Sequence, residues 1–464
     1  MDILLISANR EMSPYPVFPI GLAYLAGPLT REGHRLRVLD LCFTADPESE
    51  VQKVLAEFNP GAIVLSIRNI DNVTYPSSRS YLAEIKAVIG LCRGTAPVIL
   101  GGSGFSLMPV ELLSLLDGDY GVIGEGEEIL ADLVASLARG DDPASIPGVL
   151  TRGAAVFKTA PPIERIGRPE RGLFLVERYN REGGMANLQT KRGCPFACIY
   201  CTYPLIEGSR MRLRPAGEII AEIRELIELH GVDYIYFVDD IFNYPPEFAE
   251  ELCRAMIAAD LAVNWSAFIN PRFITPRLVG LMVEAGCDAF EFGTDSGSPV
   301  MLENLGKSFG VDEIRAASLL CKKHGVDFAH YILFGGPGET EETVLQSFAL
   351  MDEVAPTAVI GMTGIRIYPN TPLHRRALEE GMITAETDLL EPVFYISEHV
   401  RDNLCDIVTG QALQRKNWVV PGLEINMSDA MLSAIRHFKV RGPLWKLMKR
   451  LGRSRVRPMQ PNAM

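Results

Sequence analysis

The chain opens on Asp2-Ile-Leu-Leu-Ile-Ser7, and similar short apolar runs alternate with stretches of helical period for the next hundred residues. Runs at Asp2–Ser7, Arg35–Leu39, Gly61–Ile67, Pro97–Gly101 and Tyr120–Ile123 predict strands. Helices are predicted between them at Pro19–Glu32, Pro47–Phe58, Ser78–Leu91, Pro109–Leu116 and Glu127–Ala138. Nearly continuous apolar strands, each followed by a helix, imply a parallel sheet covered on both faces. Residues 1–140 are therefore expected to form a doubly wound, flavodoxin- or Rossmann-like α/β domain. Residues 141–181 are rich in Pro, Gly and Arg and read as a linker with room for a small hairpin. A second βα series fills 182–385. Its strands are expected at Ala186–Thr190, Tyr234–Val238, Asn264–Phe268, Ala289–Gly293, Asp327–Phe334 and Ala358–Ile367. Helices are expected at about 215–230, 246–259, 275–285, 311–324 and 339–354. Six βα units suit a partial (β/α)6 barrel better than a closed one of eight. Residues 386–464 form a C-terminal extension of weaker periodicity, ending in a basic amphipathic tail.

Composition narrows the class. Hydrophobic residues make up 47% and charged residues 22% of 464, which describes a globular chain long enough for two or three domains. No apolar run approaches the roughly 20 residues that span a bilayer. The start lacks the basic segment of a secretory signal, so a cytoplasmic location is expected. Net charge is −13, yet from Ala430 onward there are nine basic residues and no acidic one. The body is thus more acidic still, which argues against nucleic acid as a partner. Of nine cysteines only three cluster; an odd, scattered set suggests reduced thiols, and the other six read as small buried apolar residues.

The clustered three lie in Thr190-Lys-Arg-Gly-Cys194-Pro-Phe-Ala-Cys198-Ile-Tyr-Cys201, just after the first barrel strand. Three thiolates can hold three irons of a cubane and leave the fourth open to a reactant. A structural zinc site completed by a distant ligand is the plainer alternative. Further segments sit at strand C-termini, the face where barrel active sites form. They are Phe237-Val-Asp239-Asp240-Ile-Phe-Asn243, Glu291-Phe-Gly-Thr-Asp295-Ser296-Gly-Ser, Ile332-Leu-Phe-Gly335-Gly336-Pro-Gly-Glu339 and Tyr368-Pro-Asn-Thr371-Pro372-Leu373. The last reads as helix initiation by Thr371 and Pro372 more than as chemistry.

With these residues in place, positions 185–380 resemble the radical S-adenosylmethionine (SAM) superfamily, and the FxDDxF form resembles its cobalamin-dependent branch. The resemblance implies a 4Fe–4S cluster on Cys194, Cys198 and Cys201 whose open iron chelates SAM and cleaves it to a 5′-deoxyadenosyl radical. It implies SAM contacts from Tyr200, Asp239 or Asp240, Glu291, Asp295, Ser296, Gly335 and Gly336. Asp295 stands where the family has Glu, so its reach to the ribose is shorter.

Parallel sheets bind ligands beyond their C-terminal strand ends. Here those ends carry Ser66-Ile-Arg68-Asn69, Gly101-Gly102-Ser-Gly and Gly124-Glu125-Gly126-Glu127, glycine turns suited to a large flat ligand. Together with Pro19–Leu25 and Val38–Asp40 they resemble the cobalamin-binding domain that precedes some radical SAM barrels. There is no D-x-H-x-x-G motif, and the domain's only histidine, His34, lies at the wrong end of the sheet. Cobalt is therefore expected to have no histidine below it, with Arg68 or Asn69 under the corrin; a domain that has lost the cofactor stays open.

The resemblance implies an enzyme, most commonly one in which methylcobalamin methylates an unactivated carbon and a second SAM restores the methyl group. Two alternatives are a non-methylating radical cyclase or rearrangement enzyme and a cobalamin- or redox-sensing iron–sulfur binding protein. A methylthiotransferase is disfavoured, since only Cys42 and Cys92 are available for a second cluster in the N-terminal domain. An electron donor such as flavodoxin or ferredoxin is implied. In the tail, Leu444, Leu447, Met448 and Leu451 share one helical side, with Lys446, Lys449, Arg450 and Arg453 largely opposite. This is the pattern of an interfacial helix, hence an expected peripheral membrane contact and a lipid- or isoprenoid-like substrate. The plainer reading docks that apolar side on the chain's own barrel. Neither the small-molecule substrate nor any catalytic side chain is readable.

Overall fold

The computed structural model describes residues 1–154, 156–427, 431–432 and 440–451. The first sheet contains β1 (Asp2–Ser7), β2 (Arg35–Asp40), β3 (Ala62–Ser66), β4 (Val98–Gly101), β5 (Tyr120–Val122) and β6 (Val149–Thr151), in the order β2-β1-β3-β4-β5-β6. The first five are parallel. In β1, Ile3, Leu4, Leu5 and Ile6 are wholly buried because alternate side chains enter helix-covered cores on opposite faces. β6 lies antiparallel to β5, with Tyr120 opposite Thr151. The expected linker thus begins inside the domain's own sheet, and its end is the helix Val176–Gly183.

Strand order reverses direction between β1 and β3, which opens the crevice for a ligand beyond Ser7 and Ser66. At Gly102 (φ 103°) an added Cβ would lie 2.6 Å from the Ile67 carbonyl oxygen, so only glycine lets the chain after β4 fold against the chain after β3. A short helix, Ser103–Leu107, follows; the pattern did not suggest it. The helix expected from Ser78 starts at Leu82, because residues 67–81 make a long excursion to the barrel. There Asp71 pairs with Arg366 at 3.0 Å, both buried, and the Tyr75 carbonyl accepts from Thr363 Oγ1.

The second sheet runs in chain order through Ala186–Leu188, Tyr234–Phe237, Asn264–Ile269, Cys287–Asp295, Asp327–Phe334 and Ala358–Thr363, all parallel. These are the six expected strands of the partial barrel. A short seventh, Trp418–Val419, comes from the C-terminal extension and pairs with the sixth. The sixth was expected to reach Ile367; it breaks at Gly364 (φ 68°), and Ile365–Arg366 pairs with Phe394–Tyr395 instead. Thr371 caps the helix Pro372–Glu379 by accepting from the His374 N–H, as its Thr-Pro start predicts. One apolar core runs from Ile3 and Leu22 through Leu188 and Ile219 to Trp265 and Phe292, so the two domains share an interior.

The tail corrects the interfacial reading. Leu444, Trp445 and Met448 are buried against Ala289, Ala329 and Ala358, small residues on the barrel's inner face. Lys446 pairs with Asp288 at 2.6 Å and Lys449 with Asp327 at 2.8 Å, so the tail's charges are also held by the barrel. The side chains of Arg450 and Leu451, and Arg453, lie outside the description. Among the described residues no helix is long and apolar enough to cross a membrane.

Candidate cofactor chamber and cluster loop

The cysteine loop is built by close backbone contacts on both sides. Lys191–Arg192 pairs antiparallel with Arg212–Leu213, and Cys194 N–H donates to the Gly208 carbonyl at 3.1 Å. Ile199 N–H donates to the Leu305 carbonyl at 3.1 Å. Next to it Gly306 (φ 71°) leaves room for the Ala197 carbonyl, which an added Cβ would meet at 2.4 Å. Cys194 is buried; Cys198 and Cys201 are partly exposed. Burial pushes Cys194 up to about 11 and Cys201 up to about 12, and the neighbouring thiols add to both shifts. Burial also raises Cys198, opposed by the Lys307 ammonium that bonds to it. Three mutually close thiols that resist ionisation alone fit a cationic centre, which stabilises thiolates. Among the described residues no three His, Cys, Asp or Glu side chains converge on one ion, as a zinc site would need. Ligands of separate irons in a cubane require no such convergence.

The acidic pair after the second barrel strand divides its labour. Asp239 is saturated: it accepts from Thr190 N–H at 2.6 Å, from the Thr190 hydroxyl and from Lys191 N–H, with Lys191 Nζ at 3.7 Å. Asp240 keeps Oδ2 buried without a partner. Burial first, then the Glu207 and Asp239 charges, pushes Asp240 up to about 8. The unmet carboxylate oxygen beside the triad fits the ammonium of a bound amino acid moiety.

Four other expected SAM contacts have different partners in the structure. Glu291 lies on the inner face of the fourth strand and accepts from Tyr236 at 3.1 Å, Tyr331 at 2.9 Å and Trp445 Nε1 at 3.0 Å. It anchors the tail, which period-2 reasoning on its own strand could not show. Ser296 Oγ is 3.1 Å from Ser347 Oγ and accepts from Ser298 N–H, so it braces the turn. Gly335 and Gly336 N–H donate to Glu339 at 2.6 and 3.3 Å, and burial pushes Glu339 up to about 7. Asp295 (φ 64°) and Tyr200 do meet: the Tyr200 hydroxyl donates to Asp295 Oδ2, which Lys307 also contacts at 2.7 Å. Lys307 links this pair to the cluster loop, and its sequence context gives no sign of it.

All eight residues expected around cobalamin, Ser66, Arg68, Asn69, Gly101, Gly102, Gly124, Glu125 and Gly126, line a single cavity of about 420 Å³. Its other wall is the barrel: Gln189, Arg192, Thr202, Tyr203, Glu207 and Tyr368. Thr202 and Tyr203 follow Cys201 directly, so the cavity extends from the sheet's switch point to the cluster loop. Asn9, just past β1, also lines it, with Nδ2 buried and unpartnered. That position was legible from the switch-point rule, since β1 ends there too. No histidine is among the lining residues. Glycine turns, an orphaned amide and a crevice at strand ends fit a broad, amide-rimmed ligand such as a corrin.

Comparison with known proteins decides the class. The B12 binding domain model matches residues 6–134, and the radical SAM superfamily model matches residues 188–351.

The chain belongs to the cobalamin-binding radical SAM family.

Membership implies a 4Fe–4S cluster, SAM and cobalamin as cofactors, and the relatives of this radical SAM enzyme include methyltransferases. The tryptophan 2-C-methyltransferase of Streptomyces laurentii is 27% identical over 451 residues, covering 82% of this chain and 74% of that protein. The hopanoid C-2 methylase of Rhodopseudomonas palustris is 25% identical over 318 residues, covering 65% of this chain and 56% of the relative. The structure of TsrM from Kitasatospora setae, with cobalamin and a [4Fe-4S] cluster bound, superposes with a TM-score of 0.87 at 23% identity over 97% of each chain. That similarity carries the fold of this radical SAM protein across both domains.

Proposed function

We propose that this chain is a cobalamin-dependent radical SAM C-methyltransferase that methylates an unactivated carbon of a small organic substrate. The observation that carries the reading is the shared cavity: the glycine turns of the first sheet and the residues following Cys201 face one space. The cofactors, when bound, supply the methyl group and the radical chemistry. The chain's own residues bind, orient and shield. Cys194, Cys198 and Cys201 would hold the cluster, and Asp240 would take the SAM ammonium. Tyr200 and Asp295, fixed by Lys307, would meet the nucleoside side of SAM. Ser66, Arg68, Asn69 and the three glycine turns would cradle the corrin, in a cavity with no histidine among its lining residues. The enzyme would draw electrons from a flavodoxin or ferredoxin.

Several relatives are named for methylation at carbon, on substrates as unlike as tryptophan and a hopanoid. Others are named as anaerobic magnesium-protoporphyrin IX monomethyl ester cyclases, which keeps a non-methylating reaction as the rival outcome. With the tail docked inside the barrel, the argument for a membrane-bound lipid substrate loses its physical basis, and a soluble small molecule is the better expectation. The test is anaerobic turnover with SAM carrying a deuterated methyl group, over a panel of candidate acceptors. A product heavier by the labelled methyl supports the proposal. SAM cleavage with an altered acceptor that carries no label would shift the assignment to the rival.

A further inference from the structure

Glu125 sits between Gly124 and Gly126, whose backbones face the cavity; at Gly124 (φ 79°) an added Cβ would find only the Ile206 carbonyl, 3.9 Å away. From the rim of that cavity the Glu125 side chain crosses to the barrel, where it meets two arginines. One oxygen is 3.1 Å from Arg192 Nη1; the other accepts from Ile163 N–H at 2.9 Å and pairs with Arg212 Nη1. All three charged side chains are less than a tenth exposed. Both arginines connect to the residues just before Cys194. Arg192 precedes it by two residues in the strand pair that frames the loop. Arg212 donates to the Glu207 carbonyl, and the Glu207 carboxylate accepts from Gly193 N–H at 3.0 Å. Two routes of buried, hydrogen-bonded charge therefore run from the turn facing the cobalamin cavity to the residues flanking the first cluster ligand.

We infer that Glu125 is a positioning residue that couples the two cofactor sites, so that filling the cobalamin cavity and loading the cluster strengthen each other. The inference rests on the cobalamin reading of the cavity. Without the Glu125 carboxylate, two guanidinium groups would be left buried side by side with too little opposing charge, and they would turn outward. The frame of the cluster loop would move with them. The tolerance is small, since an added Cβ at Gly193 would come within 2.3 Å of the Arg210 carbonyl oxygen. An equilibrium coupling of this kind is reciprocal. Glu127, 2.7 Å from Arg192, holds that arginine only. It cannot restore the Arg212 route.

The test uses the full chain under anaerobic conditions. Hydroxocobalamin affinity is measured by equilibrium dialysis for cluster-loaded and cluster-stripped protein, in wild type, Glu125→Gln and Arg366→Gln. In wild type, the loaded form should bind at least about fivefold more tightly than the stripped form. Bound cobalamin should slow iron loss to a chelator. Glu125→Gln should bring the affinity ratio close to one. Arg366→Gln breaks a different buried interdomain pair, to Asp71, which does not include a cluster-loop residue; it should keep the wild-type ratio. If Glu125→Gln does not fold, Arg212→Gln cuts one of the same routes and should lower the ratio. A ratio unchanged in Glu125→Gln, or abolished equally by Arg366→Gln, overturns the inference. Equal binding by loaded and stripped wild type overturns it as well, while leaving the cobalamin reading intact. Wild type that binds no cobalamin in either form removes that reading and the inference with it.

Discussion

Asp239 and Asp240 are adjacent in the chain and differ in almost everything else. The first is locked to Thr190 and Lys191; the second keeps a buried oxygen free. Asp239→Asn should lower unfolding free energy by about 3–5 kcal/mol, because it strands the Lys191 charge. Asp240→Asn should leave stability nearly unchanged and weaken SAM binding about tenfold or more, the worth of one charged hydrogen bond. Urea denaturation and calorimetric SAM titration separate the two. His330 carries a different prediction. It lies buried between Thr294 and Ser318, and burial holds its pKa down to about 3. The unfolded chain binds a proton there near pH 6.5 and the folded chain does not. The contribution is therefore complete above about pH 6.5 and is lost as pH falls towards 3. Between pH 7 and 5 the wild type should lose about 2 kcal/mol that His330→Gln does not, read from paired urea curves. The sequence brought the three cysteines into one loop and the eight expected rim residues around one cavity, because those residues belong to contiguous turns at strand ends. It did not separate Asp239 from Asp240, or see that Glu291 serves the tail, because the deciding partners, Thr190 and Trp445, are far away along the chain.

At the scale of elements, long buried parallel strands and their helices were readable, since period and cap both mark them. β6 and the strand Trp418–Val419 were not: three and two residues carry no period, and they become strands only by pairing with β5 and the sixth barrel strand. The same holds for the seam between the cluster loop and the chain near Leu305. Gly306→Ala should force the Ala197 carbonyl away, since the new Cβ would lie at 2.4 Å with φ at 71°. Iron retained per chain after reconstitution should fall well below that of the wild type, while cobalt retention falls less. Equal iron content in both would show the seam to be dispensable.

For the whole molecule, the tail belongs to the barrel. Trp445→Ala removes a buried indole and leaves Glu291 short of a donor, so unfolding free energy should drop by about 3–5 kcal/mol. Vesicle flotation should be the same for variant and wild type; a variant as stable as wild type but released from vesicles would restore the interfacial helix. The two readings of the tail have a physical cause: a basic helix with one apolar side looks alike whether that side faces lipid or a barrel lined with alanine. Ala289, Ala329 and Ala358 each look ordinary alone; Ala329 stands opposite Ala358, Ala289 lies two residues before the partner of Ala329, and together they make the space that Trp445 fills. Translation delivers those strands well before it delivers Trp445. The strands can therefore pair before Trp445 exists, but the cluster of Glu291, Tyr236 and Tyr331 is sealed only once that late residue is seated, so the barrel's interior is finished by the chain's far end.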